Sequence, residues 1–260
     1  MRILIASDAW EPQVNGVVRT LKTTVRELEN LGHEVHVIGP ERFVTVPMPT
    51  YPEIRVAMAP KLRLERLVDE IRPDAIHIPV EGPIGLAARS LCLDRGWPFT
   101  TSYHTRAGLY FETKLGIPER WVLMIQRWFH NAGDGFMVQT DTLERDLGAM
   151  GFTNIRRWCR GVDTGLFRPM PDTGLLAGLP RPVFSYIGRV SAEKNLEAFL
   201  GLDLPGTKLI VGDGPELEDY RAAYPKVLFT GFKSGDDLAR YYSASDVFVF
   251  PSRFETFGLV

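Results

Sequence analysis

The stretch "RILIASDAWEPQVNGVVRTLKTTVRELENLGHEVHVIG", residues 2–39, decides the fold of this chain. It opens on a short apolar run, Arg2–Ser7, and closes on a second one, Glu34–Gly39. Between the two runs, apolar residues recur at the three- and four-residue spacing of a helix. Asn15 can cap the start of that helix and Gly32 can end it. A strand, a helix and a strand in this order form a βαβ unit, which predicts two parallel strands.

Strand-like and helix-like segments alternate in the same way through most of the chain. The alternation runs to residue 160, is broken by a Gly- and Pro-rich stretch at 161–181, and resumes at residue 182. Parallel strands that alternate with helices form a sheet covered on both faces. We therefore predict an α/β protein with two Rossmann-like, doubly wound parallel-sheet domains facing a cleft. The domains are residues 1–160 and residues 182–260, and residues 161–181 are the linker between them.

Composition excludes several classes of protein. The 260 residues are 45% hydrophobic and carry a formal net charge of −2, which does not favour nucleic acid as a partner. No apolar stretch reaches the roughly 18 residues of a membrane-spanning helix, and the first residues do not resemble a signal peptide. The two cysteines lie in unrelated segments. Reduced thiols in a cytoplasmic protein are the simplest interpretation.

Ligands of doubly wound sheets bind at the carboxyl ends of the strands, so the loops that follow the strands are the candidate sites. Gly16 begins the first helix, where backbone N–H groups favour an anion. The alternative is that Asn15-Gly16 only turns the chain into its helix. His104 lies at the carboxyl end of the predicted strand "PFTTSYH". Its imidazole could bond a ligand hydroxyl, or it could be a satisfied structural histidine.

Two later loops carry charge. In "YIGRVSAEKNLEAF" we predict a helix that begins near Glu193, with Arg189 and Lys194 flanking its start and able to neutralise a pyrophosphate. The alternative is a pair of solvated surface cations. In "PSRFETFGLV", at residues 251–260, Glu255 can accept hydrogen bonds from sugar or ribose hydroxyls. Gly258 can begin an anion-binding helix.

Together, "PQVNGVVRT", "YHT", "IGRVSAEKNLEAF", "VGDGPE" and "PSRFETFGLV" resemble the retaining glycosyltransferases of the GT-B fold, family 4. Within that family, "DAWEPQVNGVVRTL" is most similar to the bacterial GDP-mannose-dependent α-mannosyltransferases and related glycolipid-forming enzymes. The resemblance implies transfer of a hexose, with mannose as the first choice, from a GDP- or UDP-linked donor to a hydroxyl acceptor, with a lipid as one candidate. It implies no cofactor besides the donor and no metal.

The resemblance also assigns roles. The first domain becomes the acceptor side and the second the nucleotide-sugar-binding side. His104 would contact the donor sugar at the reaction centre, and Glu255 would hold that sugar as the first carboxylate of an E-x7-E motif. The remaining implied donor-binding residues are Gly16, Arg189, Lys194, Gly258 and Leu259.

The second glutamate of that motif would fall three residues beyond Val260. The resemblance therefore implies that the second domain is incomplete and that the chain is a fragment of a longer enzyme. Two alternatives stay open. One is a donor-binding but inactive truncated domain. The other is a different enzyme with the GT-B fold, such as a nucleotide-sugar 2-epimerase.

A last stretch, "ERWVLMIQRWFHNAG" at residues 119–133, bears on the acceptor. Apolar residues recur there at helical spacing, and basic residues flank them, which suits the surface of an anionic bilayer. The stripe consists of Trp121, Met124, Ile125, Trp128 and Phe129. The alternative, favoured by the general rule for such stripes, is that these side chains pack into the core. The first interpretation predicts a cytoplasmic protein that binds peripherally to the membrane.

Overall fold

The computed structural model describes residues 1–13, 15–48, 51–104, 108, 116–159, 161–171 and 174–252. The chain divides into two compact units, Met1–Arg160 and Gly161–Gly258.

The first unit alternates strands and helices, as the apolar pattern predicts. Its strands are β1 (Arg2–Ala6), β2 (Glu34–Ile38), β3 (Thr45–Met48), β4 (Tyr51–Ala57), β5 (Ala75–Ile78), β6 (Thr100–Ser102), β7 (Gly135–Val138) and β8 (Ile155–Arg157). Its helices are α1 (Gly16–Asn30), α2 (Lys61–Ile71), α3 (Pro83–Arg95), α4 (Glu119–His130) and α5 (Asp141–Ala149), with a 3-10 turn at Pro40–Arg42. Asn15 caps α1 as expected, because its side chain accepts hydrogen bonds from the first turn.

Six parallel strands form the main sheet of this unit, in the order β2-β1-β5-β6-β7-β8. The chain moves from β1 to β2 on one side and then returns to β5 on the other side of β1. The carboxyl ends of β1 and β5 therefore meet at the topological switch point, where such sheets bind ligands. The consecutive residues Leu4 and Ile5 of β1 are both buried, so both faces of the sheet are covered.

One predicted strand lies outside the main sheet. The segment "EIRVAM" falls on β4, which pairs antiparallel with β3 in a separate two-stranded sheet. Local alternation predicts the strand itself but carries no information about its partner, because pairing depends on a segment elsewhere in the chain.

The second unit repeats the plan on a smaller scale. Its strands are β9 (Val183–Ile187), β10 (Thr207–Val211), β11 (Leu228–Phe229) and β12 (Val247–Phe248), all parallel and in the order β11-β10-β9-β12. Its helices are α6 (Glu197–Leu200), α7 (Leu217–Ala223) and α8 (Gly235–Ala244). The order reverses between β9 and β12, so the loops after these two strands meet at the switch point of this sheet.

Each face of the second sheet has its own core. Leu209 and Ile210 of β10 are both fully buried and belong to different apolar clusters. Leu176, in the stretch predicted as a linker, is buried in one of these clusters against Val183 and Val211. The described part of residues 161–181 is therefore packed on the second unit.

The predicted start of the helix near Glu193 is wrong. A 3-10 turn at Ala192–Lys194 comes first, Asn195 adopts a left-handed conformation with φ of 54°, and α6 begins only at Glu197. The Asn195 side chain donates a hydrogen bond to the carbonyl of Pro251 at 3.2 Å. Asparagine tolerates this backbone conformation, and the contact joins the loop after β9 to the loop after β12.

In the portion of the chain with described structure, no helix is both long and apolar enough to cross a membrane.

Gly85 lies where α3 packs closely against the loop after β5. A Cβ atom on Gly85 would lie 1.9 Å from the carbonyl oxygen of Val80. Gly85→Ala should therefore lower the free energy of unfolding by about 1–3 kcal/mol, the usual cost of overpacking. Gly148→Ala is the matched control, because the nearest atom to a Cβ there is 3.9 Å away. It should raise stability by up to about 1 kcal/mol through helix propensity. Urea unfolding measures both, and equal effects of the two substitutions would contradict the close contact.

Candidate functional site

Asp8 stands at the switch point of the first sheet, directly after β1. Its two carboxylate oxygens accept hydrogen bonds from the backbone N–H groups of Ile84 and Gly85, each at 3.0 Å, in the first turn of α3. Burial raises the pKa of Asp8 to about 6, and the two hydrogen bonds act against that rise. Asp8 thus ties the loop after β1 to the start of α3. Local sequence patterns do not single out Asp8, because its partners are more than 70 residues away.

A second carboxylate, Glu81, lies in the loop after β5. It accepts a hydrogen bond from Gln126 Nε2 at 2.8 Å and pairs with His130 Nε2 at 3.0 Å. His130 is fully buried, and its Nδ1 lies 2.9 Å from the Thr101 hydroxyl. Burial acts to raise the pKa of Glu81, but the hydrogen bond and charge of His130 outweigh it and hold that pKa below its usual range. The ionised carboxylate therefore fastens α4 to the carboxyl edge of the sheet.

His104 lies two residues beyond β6, at the same edge, and is half-buried. Its Nε2 is 2.7 Å from the Ser102 hydroxyl, and its ring meets Trp158 edge to face at 5.8 Å between centroids. The same hydroxyl lies 3.1 Å from Nε2 of His77, whose Nδ1 is 2.9 Å from the Thr100 hydroxyl. His104 thus ends a chain of polar groups inside the first unit. Trp158 follows β8, and no local pattern singled it out.

Gly16 is the first residue of α1 and is exposed. The Asn15 Oδ1 atom accepts hydrogen bonds from the N–H groups of Val17 and Val18, both at 3.0 Å. These are N–H groups that an anion at the helix start would use. The capping of α1 is sufficient to explain why Asn and Gly occupy positions 15 and 16. A role of Gly16 near the donor stays a prediction.

In the second unit, glycines bring the loops after β9 and β10 into backbone contact. A Cβ atom on Gly212 would lie 1.8 Å from the carbonyl oxygen of Gly188, and one on Gly214 would lie 2.0 Å from that of Val190. The N–H of Val190 also donates to the Asp213 carbonyl at 2.9 Å. No side chain larger than hydrogen fits at these contacts, so the path of the chain around Arg189 is fixed by backbone atoms.

Arg189 and Lys194 lie on the loop after β9, at the switch point of the second sheet. Arg189 is exposed, and the half-buried Lys194 places its ammonium 6.0 Å from the centre of the Phe250 ring, beyond β12. Burial acts to raise the pKa of Glu193, but the Ser191 hydrogen bond and the charges of Arg189 and Lys194 hold it below its usual range. Both cations therefore lie near one carboxylate, and the loop carries one net positive charge across these three side chains.

The other predicted site residues, Glu255, Gly258 and Leu259, lie outside the described residues. Their roles stay predictions. Among the side chains that the structure does describe, no three of His, Cys, Asp or Glu are grouped so that they could hold a metal ion.

The fold is shared with solved structures. Sucrose-phosphate synthase from Thermosynechococcus elongatus superposes with a TM-score of 0.78 at 19% identity, over 99% of this chain and 77% of that one. The similarity establishes the GT-B fold, and it confirms the predicted α/β architecture with Rossmann-like parallel sheets.

The sequence aligns with several named proteins over nearly its whole length. The GDP-mannose-dependent α-mannosyltransferase of Mycobacterium tuberculosis is 28% identical over 99% of this chain and 74% of its own length. The sulfoquinovosyl transferase SQD2 of Arabidopsis thaliana is 30% identical over 95% of this chain and 54% of its own. The α-monoglucosyldiacylglycerol synthase of Streptococcus pneumoniae is 26% identical over 100% of this chain and 68% of its own.

Family assignments agree with these relatives. Residues 181–260 match the Glycosyl transferases group 1 family. Residues 14–166, more than half of the chain, match Glycosyltransferase Family 4. This protein therefore belongs to glycosyltransferase family 4 and is a glycosyltransferase with the GT-B fold.

Proposed function

We propose that this glycosyltransferase moves a hexose from a nucleotide-diphosphate sugar to a hydroxyl acceptor with retention of anomeric configuration. The observation that carries the proposal is the placement of Arg189 and Lys194 on one loop at the switch point of the second sheet. Ligands of open α/β sheets bind at such points. Two cations there suit the diphosphate of a nucleotide sugar.

The chemistry follows from where charge develops. Transfer breaks the bond between the anomeric carbon and the phosphate oxygen and forms a bond to the acceptor oxygen, and the acceptor proton is released. Negative charge grows on the departing diphosphate, so fixed cations beside it stabilise the transition state more than the ground state. The fixed backbone around Gly188 and Gly212 keeps Arg189 in place, and the Asn195–Pro251 hydrogen bond secures the end of the loop that carries Lys194.

We propose mannose as the hexose and GDP-mannose as the donor. Support comes from the relatives whose names include GDP-mannose. The one from Mycobacterium tuberculosis aligns with 99% of this chain. The sulfoquinovosyl and glucosyl transferases among the relatives make a UDP-linked hexose the second candidate. In this proposal His104 and Glu255 contact the donor sugar, and Gly16, Gly258 and Leu259 line the donor. The donor is the only small molecule required besides the acceptor, without cofactor or metal.

We further propose a lipid acceptor, reached from the cytoplasmic face of a membrane by peripheral contact. The supporting observation is one face of α4, which is not packed in the core. Exposed fractions on this face are 50% for Trp121, 47% for Met124, 55% for Ile125 and 55% for Trp128. Only Phe129 of the predicted stripe is fully buried. We call the four exposed residues the α4 stripe.

Basic and apolar neighbours extend the α4 stripe. Arg120 and Arg127 are exposed on the same helix. Arg89 of α3 is buried and orients the Trp128 ring, because its guanidinium lies 3.7 Å from the ring centre and donates to the Trp128 carbonyl at 3.0 Å. On α3, Leu86 and Leu93 are 40% and 47% exposed. Tryptophan beside arginine suits the headgroup region of an anionic bilayer, where the ring is half immersed and the cation meets phosphate.

The first test concerns the diphosphate. Lys194→Ala should weaken binding of GDP or UDP about tenfold or more, because a charge-assisted contact contributes roughly 1.5–3 kcal/mol. Isothermal titration measures the affinity. Lys226→Ala is the matched control, since Lys226 is an exposed lysine that precedes β11, at the opposite edge of the same sheet. An affinity that Lys194→Ala leaves unchanged would contradict the proposed role of the loop.

The second test concerns the donor. We expect GDP to bind more tightly than UDP, and labelled mannose to move from GDP-mannose to diacylglycerol in mixed vesicles. A donor whose sugar is α-linked should give an α-linked product, read by NMR. Addition of EDTA should leave the rate unchanged. Tighter binding of UDP would overturn the choice of GDP-mannose, and a β-linked product would overturn retention.

The third test concerns the membrane. The protein should co-sediment with vesicles that contain phosphatidylglycerol, and the bound fraction should fall as salt screens the arginines. The double variant Trp121→Ser/Ile125→Ser should lose most of this binding without loss of stability, because both side chains are already exposed. Phe232→Ser, which removes a 62% exposed side chain from the second unit, should bind like the parent protein. No sedimentation at low salt would favour a soluble acceptor.

A further inference from the structure

Gln139 lies directly after β7, at the same edge of the sheet as His104, and is 2% exposed. Its Nε2 atom donates a hydrogen bond to the carbonyl oxygen of Tyr103 at 2.5 Å. Chemistry settles the direction of this bond, because a carbonyl oxygen only accepts and the nitrogen is the donor of a carboxamide. The Tyr103 carbonyl belongs to the peptide group that joins Tyr103 to His104. Gln139 therefore holds the backbone from which the His104 side chain projects.

The sheet restrains Tyr103 as well. The Tyr103 N–H donates to the Met137 carbonyl at 2.9 Å, which extends the parallel pairing of β6 with β7 by one residue. The Tyr103 side chain is buried, and its ring meets Phe136 edge to face at 6.0 Å between centroids. Tyr103 is thus restrained through its N–H, its ring and its carbonyl oxygen, and Gln139 supplies the contact to the oxygen.

The strand on the other side of β7 places a ring partner of His104. The Trp158 N–H donates to the carbonyl of Val138, the residue before Gln139, at 2.9 Å. The Trp158 ring then meets the imidazole edge to face at 5.8 Å between centroids. The chain segments that follow β6, β7 and β8 therefore place His104, Gln139 and Trp158 side by side at one edge of the sheet.

The buried carboxamide of Gln139 satisfies only one of its two polar groups. Among the described residues, none donates a hydrogen bond to its Oε1 atom. A buried acceptor without a donor is unfavourable, so a methionine of similar length would fill this space without that cost. The property that sets glutamine apart at this position is the N–H donor that reaches Tyr103.

We propose that Gln139 is a positioning residue that holds the backbone of His104 so that its imidazole meets the donor sugar. The inference rests on the proposed function, in which His104 contacts that sugar. Ser102 and Trp158 contact the imidazole itself, and Gln139 restrains the peptide that precedes it. Displacement of a reacting group by about 1 Å can lower the rate of an enzyme by up to about a hundredfold.

A hydrogen bond that only satisfies the buried Tyr103 carbonyl predicts something different. In that case, removal of the Nε2 donor would lower the stability of the protein. It would leave the His104 ring where it is, and the folded protein would keep its rate. The position of the His104 ring therefore separates a positioning role from the satisfaction of a buried carbonyl.

The first measurement is ¹H–¹³C NMR of the histidine rings in the whole 260-residue chain. An aromatic ring shifts the resonances of nearby protons, so the carbon-bound ring protons of His104 report its position relative to Trp158. Gln139→Met should change the resonances of His104, assigned with His104→Gln, and leave those of His33 and His36 unchanged. Unchanged His104 resonances in the folded variant would overturn the proposal.

Gln139→Leu provides a second apolar replacement if Gln139→Met does not fold. The same change of the His104 resonances is expected, because leucine also lacks the donor. If neither variant folds, the bond to Tyr103 is required for the fold itself, and that result would overturn a role confined to positioning.

The second measurement is kinetic. Gln139→Met should lower kcat about tenfold or more, because the imidazole is displaced from the reacting sugar. The donor KM should change less than about twofold, because the proposed diphosphate site is on the second unit. A kcat that Gln139→Met leaves unchanged would overturn the positioning role.

Asn154→Gly is the matched control for both measurements. The Asn154 carboxamide donates to the Gly133 carbonyl at 2.9 Å, so it makes the same kind of bond at the opposite, amino end of β7. Glycine keeps the left-handed backbone of Asn154, whose φ is 56°. This variant should leave kcat and the His104 resonances unchanged. Equal effects of Asn154→Gly and Gln139→Met would contradict a specific role of Gln139.

The two measurements distinguish the proposals from each other. If the protein transfers no sugar from any nucleotide donor, the proposed function fails, and the resonances of His104 still decide whether Gln139 holds its ring in place. If transfer occurs and Gln139→Met changes neither the resonances nor kcat, the positioning role fails and the proposed function stands.

Discussion

Backbone contact between loops at the carboxyl edges of the sheets is the constraint on which the rest of the structure depends. In the second unit, the Gly212 position touches the Gly188 carbonyl so closely that an added Cβ would be 1.8 Å away. In the first unit the close contact is between a loop and the helix that follows it: an added Cβ on Gly85 of α3 would lie 1.9 Å from the Val80 carbonyl oxygen. These contacts leave no room for side chains or water between the loops. The backbone of the residues beside them, such as Arg189, is therefore positioned by the fold.

The charged side chains at the switch points differ between the two units: carboxylates in the first and cations in the second. The first holds the carboxylate of Asp8, bound by two backbone N–H groups, and that of Glu81, which pairs with His130. The second holds Arg189 and Lys194, which both act on the carboxylate of Glu193. A nucleotide diphosphate is anionic, so Coulomb energy favours the second unit as its site and disfavours the first. This difference supports the proposed division of work, with the donor on the second unit and the acceptor hydroxyl on the first.

The sequence was sufficient for the alternation of strands and helices, because hydrophobic period and helix-stop signals are local. It failed where a distant partner decides the local structure. The helix predicted near Glu193 gives way to a 3-10 turn and a left-handed Asn195, whose side chain bonds Pro251, 56 residues away. Likewise, Ser102 and His77 read as ordinary strand residues. The contact of His77 with Ser102 follows from the pairing of β5 with β6, which no local pattern encodes.

The orientation of the α4 stripe could not be predicted from the sequence either, and this orientation bears on the proposed membrane contact. Helical periodicity defines an apolar face but not which way it points, and the usual rule turns it inward. Here the opposite face carries Gln126 and His130, both bound to Glu81 and nearly or fully buried. Rotating the helix inward would leave these polar groups without partners, at a cost of about 1–3 kcal/mol each. The polar anchors, together with the fully buried Phe129, oppose that rotation. Four apolar side chains stay about half exposed, which favours an apolar surface such as a membrane as their partner.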